Sequence, residues 1–198
     1  NMAMLYRTFF ALVVLAAPAF SSQAADKSTN HTFKKTQISD QFFSEGANFA
    51  DFNRDGAGDI VSGPYWYLGP TFTDRVAYYD GKPFDIEGYS DNFFAFTYDF
   101  NKDEWPDVLI VGFPGKEAFW YENPQGKTGP WPRHTAVEVV DNESPQFTDV
   151  TGDGKPELVC MSRGFLGYAE IPDDAKQPWK FVGVSPNNNY HMFTHGLG

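Results

Sequence analysis

The chain has 198 residues, of which 26 are acidic and 15 basic, so its formal net charge is −11. We expect neither nucleic acid nor anionic lipid among its partners, because both would repel a chain of this sign. Aromatic residues make up 18% of the chain, which also contains 18 Gly and 14 Pro. This composition favours many short strands joined by tight turns over helices.

Residues 1–24 have the pattern of an export signal. Arg7 precedes an apolar run over residues 9–20, and Ser22-Gln23-Ala24 offers a small-x-small cleavage site. The run is shorter than the roughly 20 residues of a spanning helix, and an uncleaved anchor is the alternative. We therefore expect an exported protein, periplasmic or extracellular, with a linker over residues 25–30 and no membrane span once the signal is cleaved.

Short segments rich in β-branched and aromatic residues recur three times after the linker, bounded by Gly or Pro. The expected first strands are 45–50, 93–98 and 143–148, the second 60–63, 108–112 and 158–161, the third 65–68, 119–122 and 168–171, and the fourth 75–79, 134–140 and 179–184. Four antiparallel strands per repeat of about 50 residues predict an all-β fold, a β-propeller built of four-stranded blades. Residues 31–38 are predicted to add an outer strand.

An acidic loop joins the first strand of each blade to the second. Loop A (51–59), loop B (99–107) and loop C (149–157) have the form D-x-[N/T]-x-D-x-x-x-[D/E], and they begin 48 and 50 residues apart. Side-chain oxygens at positions 1, 3, 5 and 9, with a backbone carbonyl at position 7, suit Ca²⁺, which takes about six to eight oxygen ligands. A strand follows each loop, whereas a helix would follow an EF-hand loop.

The pattern predicts five calcium ligands per loop. They are Asp51, Asn53, Asp55, the Ala57 carbonyl and Asp59 in loop A; Asp99, Asn101, Asp103, the Trp105 carbonyl and Asp107 in loop B; and Asp149, Thr151, Asp153, the Lys155 carbonyl and Glu157 in loop C. Loop B departs from the pattern because Glu104 replaces the Gly of loops A and C at position 6. A solvated acidic turn is the alternative for each loop. We expect the ions mainly to stabilise the blades.

The loops and their flanking residues resemble the FG-GAP/VCBS repeat family, whose repeats build integrin-α-type propellers and occur in many secreted bacterial proteins. The matching segments are residues 49–61, 98–109 and 147–159. The resemblance extends over residues 31–198 and implies a propeller with Ca²⁺ in its blade loops. Because the repeat step places a fourth loop just beyond Gly198, we expect three blades of an incomplete ring.

A second candidate site lies six residues before the loops. Glu45 and Glu143 occupy this position in their repeats, His195 occupies it relative to the expected fourth loop, and His191 is nearby. On inner strands these side chains would converge on a central channel, where acid and imidazole groups could bind a metal or a sugar or perform acid–base chemistry. The alternative is a polar channel wall filled with water.

The remaining candidate residues have structural interpretations. Four aromatic residues recur at equivalent blade positions, which favours packing between blades over a sugar-stacking surface. They are Trp66, Tyr67, Trp120 and Tyr121. Cys160 lies in an apolar run and is expected to be a buried strand residue. His31 and His134 fall on predicted outer strands and are expected at the surface.

These features predict an exported calcium-binding propeller-repeat protein that acts as a binding module for carbohydrate or an extracellular protein. Loops of one face, the top face of the propeller, such as 81–92 and 125–132, would contact that partner. The alternative, drawn from relatives in the family, is a carbohydrate-active enzyme resembling a sugar dehydratase or a polysaccharide lyase, with His and Glu in the central channel. Nucleophile-elbow, zincin, P-loop and dinucleotide motifs do not occur in the sequence.

Overall fold

Twelve β-strands and no helix make up the regular structure of residues 31–187, the part of the chain that the computed structural model describes. The chain divides into two units, residues 1–35 and residues 36–198. Of the first unit, residues 31–35 are described, and they have no regular secondary structure. All twelve strands belong to the second unit.

The strands form three four-stranded antiparallel sheets, each in sequence order, which we call blades 1 to 3. Blade 1 consists of β1 (Ala47–Ala50), β2 (Asp59–Ser62), β3 (Tyr65–Tyr67) and β4 (Arg75–Ala77). Blade 2 consists of β5 (Phe94–Tyr98), β6 (Asp107–Val111), β7 (Lys116–Tyr121) and β8 (Arg133–Val140). Blade 3 consists of β9 (Gln146–Thr148), β10 (Glu157–Ser162), β11 (Phe165–Glu170) and β12 (Lys180–Gly183). The predicted all-β architecture of four-stranded blades is confirmed.

The middle blade is buried on both faces, and β6 shows why its sequence is continuously apolar. Val108 and Ile110 belong to the hydrophobic cluster shared with blade 1, whereas Leu109 and Val111 belong to the cluster shared with blade 3. Successive side chains of a strand point to opposite faces, so a strand between two blades needs apolar residues at every position. All five residues of β6 are buried.

The antiparallel order places the connections at two ends of each blade. Loops A, B and C join first to second strands and share one end, the acidic end, with the turns between third and fourth strands. The opposite end carries the turns between second and third strands and the connections between blades. Residues 81–92 lie at the opposite end, whereas residues 125–132 lie at the acidic end, where Gln125 Nε2 donates to Asp103 Oδ2 at 3.0 Å. The prediction that both segments serve one binding face is therefore wrong.

Residues 31–38 do not form the predicted outer strand. They have no regular secondary structure, and the side chain of Phe33 is 93% exposed. Within the described residues no strand pairs with them, and a strand without a partner has no ladder of hydrogen bonds to stabilise it.

The inner strands of blades 1 and 3 are also shorter than predicted. Both begin after the candidate glutamates, so that Glu45 and Glu143 precede β1 and β9 instead of lying on them. In blade 3 the strand begins directly after Pro145, which has no backbone N–H to contribute to the ladder.

The predicted packing role of the recurring aromatic residues is confirmed. The exposed fractions are 9% for Trp66, 2% for Tyr67, 0% for Trp120 and 7% for Tyr121. Cys160 is a buried strand residue, as predicted.

His31 is exposed, as predicted, but His134 is not a surface residue. The imidazole of His134, on β8, lies 4.6 Å from the Trp120 ring between centroids, and its Nε2 is 2.8 Å from Glu122 Oε2. The packed ring and the carboxylate therefore hold this histidine in a half-buried position.

Candidate functional site

Loops A, B and C share one backbone conformation, with positive φ at positions 4 and 6. The φ angles are +58° and +88° for Arg54 and Gly56, +62° and +71° for Lys102 and Glu104, and +79° and +86° for Gly152 and Gly154. Side-chain-bearing residues rarely adopt this region, whereas Gly adopts it without steric cost. This is the reason for the recurring Gly at position 6, and Glu104 is strained there.

The Asp at position 1 organises each loop by accepting backbone N–H groups from the residues that follow. The donors and distances are Asp55 (3.1 Å) and Gly56 (2.9 Å) to Asp51, Asp103 (2.9 Å) and Glu104 (2.8 Å) to Asp99, and Gly152 (2.6 Å) and Gly154 (2.9 Å) to Asp149. The Asp at position 5 accepts the amide of position 7, whose carbonyl is the predicted ligand. These contacts are 2.8 Å for Ala57, 2.9 Å for Trp105 and 2.8 Å for Lys155.

The side chains at position 3 also take part in the loop network. Asn53 Nδ2 donates to Asp55 Oδ2 at 2.9 Å, and Asn101 Nδ2 makes the corresponding contact with Asp103 Oδ2 at 3.0 Å. The structure therefore brings together the predicted ligands at positions 1, 3 and 5 in both loops. In a metal-free loop, hydrogen bonds of this kind limit the repulsion between the carboxylates.

The acidic residue at position 9 is turned inward, which sequence reasoning did not foresee. Its exposed fraction is 0% for Asp59, 0% for Asp107 and 3% for Glu157. In loop A, Asp59 Oδ2 accepts the amide N–H of Phe52 and Oδ1 that of Gly69, both at 2.9 Å. This carboxylate therefore joins the start of its loop to the segment that follows the third strand.

Blade 2 repeats this arrangement. Asp107 accepts the amides of Phe100 at 3.0 Å and Asn123 at 2.8 Å. Burial raises the pKa of Asp107 to about 8, although the two amide donors oppose the rise. Burial likewise raises the pKa of Asp59. A cation bound in either loop would favour the ionised carboxylate and lower these pKa values.

Loop C brings three acidic side chains close enough for one metal ion. Oxygen atoms of Asp149, Asp153 and Glu157 all lie within 4.8 Å of one another. Two oxygens that each lie about 2.4 Å from the same Ca²⁺ can be no more than about 4.8 Å apart. Thr151, the fourth predicted side-chain ligand, donates from Oγ1 to Glu157 Oε1 at 3.3 Å. The residues of this loop therefore fit a hard cation that prefers oxygen donors.

The candidate inner glutamates share a cavity at the opposite end of the blades. Glu45 and Glu143 line a space of about 370 Å³ together with Tyr89, Phe93 and Phe94. Glu45 accepts the amide N–H of Ser90 at 3.2 Å and also a hydrogen bond from the Ser90 hydroxyl. His191 and His195, the other members of this predicted cluster, lie outside the described residues.

Comparison with protein families identifies the repeat. Residues 99–160 match the model of the FG-GAP-like repeat. This segment is an FG-GAP-like repeat. A search of curated proteins found no match to the chain. The matched segment begins at Asp99, the first residue of loop B, and ends at Cys160 in β10, so that it includes loops B and C.

Neighbouring blades are joined through the second residue of loops A and B. Phe52 in loop A is 1% exposed and lies 6.0 Å from Trp66 and 5.9 Å from Trp131, a residue of blade 2. Loop B repeats the junction, because Phe100 is 2% exposed and lies 5.4 Å from Trp120 and 5.3 Å from Trp179 of blade 3. Loops A and B thus each carry a core residue beside their candidate ligands, whereas Val150, at the same position of loop C, is 50% exposed.

A larger cleft of about 730 Å³ opens at the opposite end of the blades. It lies where the connection from blade 1 to blade 2 meets the β6–β7 turn, and its lining includes Tyr89, Asp91, Phe113 and Arg133. Sequence reasoning named part of this connection as a contact loop but did not identify the cleft. The aromatic residues at 79, 84 and 89 were the available signal, but their convergence with β7 depends on long-range packing.

Residues 31–187 contain no helix long and apolar enough to cross a membrane.

Proposed function

We propose that this FG-GAP-type chain is an exported, calcium-stabilised propeller-repeat module that binds a carbohydrate or protein partner at the end of the blades opposite its metal loops. The carboxylates of Asp149, Asp153 and Glu157, which lie within 4.8 Å of one another, carry the calcium assignment. The pattern of the N-terminal 24 residues supports export.

The donor set favours calcium over other divalent metals. The loops offer carboxylate, amide and carbonyl oxygens but no imidazole or thiolate, so soft and borderline metals have no preferred ligand there. Mg²⁺ demands a nearly ideal octahedron, whereas Ca²⁺ accepts the irregular arrangements that a loop with mixed donors supplies. Repetition of the same backbone turn in three loops supports three sites of one kind.

The role proposed for the ions is stabilisation. Each loop concentrates carboxylates in one turn of a chain whose net charge is already −11, and a bound cation would remove their mutual repulsion. The loops also carry Phe52 and Phe100, which are buried where one blade meets the next. A cation that orders the loop would therefore also hold this packing in place.

Calorimetric titration of the chelator-stripped full chain tests the proposal. We expect three calcium ions per chain, and a stabilisation of about 2.7 kcal/mol for each occupied site when free calcium is 100 times its Kd. The variants Asp55→Asn, Asp103→Asn and Asp153→Asn should each remove one site, whereas the control Asp40→Asn, an exposed residue outside the loops, should remove none. A melting temperature that responds to neither calcium nor EDTA would overturn the assignment.

A second candidate function rests on the shared cavity of Glu45 and Glu143. A pair of carboxyl groups is the usual catalytic machinery for acid–base chemistry on sugars. The shared cavity therefore supports the alternative of a carbohydrate-active enzyme. The test is turnover of oligosaccharides or ketoses by the full chain, with Glu45→Gln, His191→Ala and His195→Ala as inactive variants. Absence of turnover in the unmodified chain would exclude this candidate.

A further inference from the structure

Two cavities at the opposite end of the blades meet at one aromatic side chain. The cleft of about 730 Å³ and the inner cavity of about 370 Å³ are both lined by Tyr89. The first runs along the connection between blades 1 and 2, and the second contains Glu45 and Glu143. Tyr89 therefore stands between the cleft and the inner cavity, and we call the two cavities together the depression.

Tyr89 is exposed and yet held in position. Its side chain is 68% exposed, while its ring lies 5.7 Å from Phe93 and 5.6 Å from Phe113 in tilted and edge-on arrangements. Phe93 and Phe113 also contact each other, at 5.4 Å. A large aromatic side chain that stays exposed to water does not contribute the stabilisation that its burial would give. Two supporting rings restrict its motion, so that it is a fixed platform.

Polar groups surround this platform on both sides. Ser90 lines the cleft, and its amide and hydroxyl donate hydrogen bonds to the carboxylate of Glu45 in the inner cavity. Asp91 lines the cleft, and burial raises the pKa of its carboxyl group, with a further rise from the neighbouring charge of Glu45. The depression therefore offers hydrogen-bonding groups recessed beside an aromatic surface, the usual composition of a small-ligand site.

The charges of the cleft indicate a neutral ligand. Acidic and basic side chains both line it. They are Asp80, Asp91, Glu117, Lys116 and Arg133. Arg133 is already ion-paired with Glu117 and lies 3.8 Å above the Phe119 ring. A polyanion would meet these carboxylates and a chain of net charge −11, whereas a polyol could use the donors and the acceptors alike.

We infer that the depression is a binding site for a neutral, β-linked oligosaccharide that crosses Tyr89, with sugar residues in the cleft and in the inner cavity. Pyranose rings of this kind have an apolar C–H face that packs on an aromatic ring and a rim of hydroxyls for the flanking carboxylates and serine. The inference rests on the proposed binding function and adds its ligand class and its site. It is independent of the metal loops, which lie at the other end of the blades.

The test uses the full chain with calcium present and tetramers of β-1,4-linked glucose and of β-1,4-linked galactose as probes, measured by calorimetry. Galacturonic acid tetramers are the anionic comparison. We expect saturable binding of at least one neutral tetramer, loss of affinity of about tenfold or more in Tyr89→Ala, and retained binding in Tyr89→Trp. Ile86→Ala is the matched control, because Ile86 lies in the same connection, is 79% exposed and lines neither cavity.

Three results would overturn the inference. They are failure of both neutral tetramers to bind, preference for the uronic acid tetramer, and equal losses of affinity in Tyr89→Ala and Ile86→Ala. The oligosaccharide site and the calcium assignment of the proposed function can be contradicted independently of each other. A chain that is stabilised by calcium but binds no glycan contradicts the oligosaccharide site alone, whereas a chain that binds a tetramer but no cation contradicts the calcium assignment alone.

Discussion

Glu104 occupies in loop B the position that Gly56 occupies in loop A, and the two residues have φ angles of +71° and +88°. Gly adopts this region freely, whereas a residue with a Cβ pays roughly 1–2 kcal/mol there. Glu104 gains little in return, because its ion pair with Arg54 spans 3.5 Å and both side chains are largely exposed.

The variant Glu104→Gly should therefore be more stable than the unmodified chain. We expect the free energy of unfolding to rise by about 0.5–1 kcal/mol, because relief of the backbone strain exceeds both the entropy that Gly loses on folding and the weak ion pair. Urea unfolding in EDTA measures the change without a contribution from metal. Glu104→Ala is the control, since it removes the same ion pair and keeps a Cβ. A stability of Glu104→Gly at or below that of Glu104→Ala contradicts the prediction.

Asn123 joins two blades at the acidic end, and its removal should be costly. Its buried side-chain amide donates to the carbonyls of Phe52 in blade 1 at 2.9 Å and of Pro106 in blade 2 at 3.1 Å. Asn123→Ala leaves these carbonyls without this donor, so we expect a loss of about 2–4 kcal/mol in urea unfolding. The exposed neighbour Gln125 serves as control, and Gln125→Ala should lose less than about 1 kcal/mol. Equal losses in the two variants would refute the joining role of Asn123.

The raised pKa of Asp107 predicts how the stability of the metal-free chain depends on pH. Burial raises its folded-state pKa to about 8, whereas an unfolded Asp titrates near about 3.9. Between these values the folded state holds the extra proton, so the contribution of Asp107 to the free energy of unfolding is present at low pH and is lost as pH rises toward 8. The slope cannot exceed about 1.4 kcal/mol per pH unit.

Urea unfolding in EDTA between about pH 5 and pH 8 checks this sign. Asp107→Asn cannot ionise at this position, so the stability of the unmodified chain minus that of the variant should fall as pH rises. A difference that is constant or increases over this range would show that Asp107 is ionised in the folded state.

Cys160 should be unreactive while the blades are folded. Its side chain is 0% exposed, and burial raises the pKa of the thiol to about 12. Because the thiolate is the reactive species, labelling by an aromatic disulfide reagent near pH 8 should be about 100-fold or more slower in the native chain than in denaturant. Cys160→Ala supplies the blank for the assay. Fast labelling without denaturant would place the thiol at the surface and contradict its packing in the core.

Local patterns in the sequence were sufficient for the blade plan. The three acidic loops recur at nearly constant spacing, and the Gly residues of loops A and C mark a turn with positive φ, so the loops and the strands on either side could be placed in advance. The strand β6 was correctly predicted to be buried. Its continuous apolar run has the composition expected of a strand covered on both faces.

The prediction of an outer strand over residues 31–38 was wrong because strand pairing does not depend on local sequence alone. Its composition permits a strand, but a strand exists only with a partner, and pairing is a property of distant segments. Position 9 of the loops shows the same limit. Its carboxylate has the spacing of a ligand, yet the amides that it accepts in loops A and B include those of Gly69 and Asn123, which follow the third strand of their blades.

By itself, the sequence determined the all-β class, the repeat, the acidic loops and the order of strands within a blade, because each depends on residues close together in the chain. Tertiary structure alone decided that Asp59 and Asp107 face inward, that Glu45 and Glu143 share a cavity, and that Tyr89 stands between that cavity and a larger cleft. These are consequences of how one blade packs against the next. That packing brings together side chains from distant segments, and no local periodicity records it.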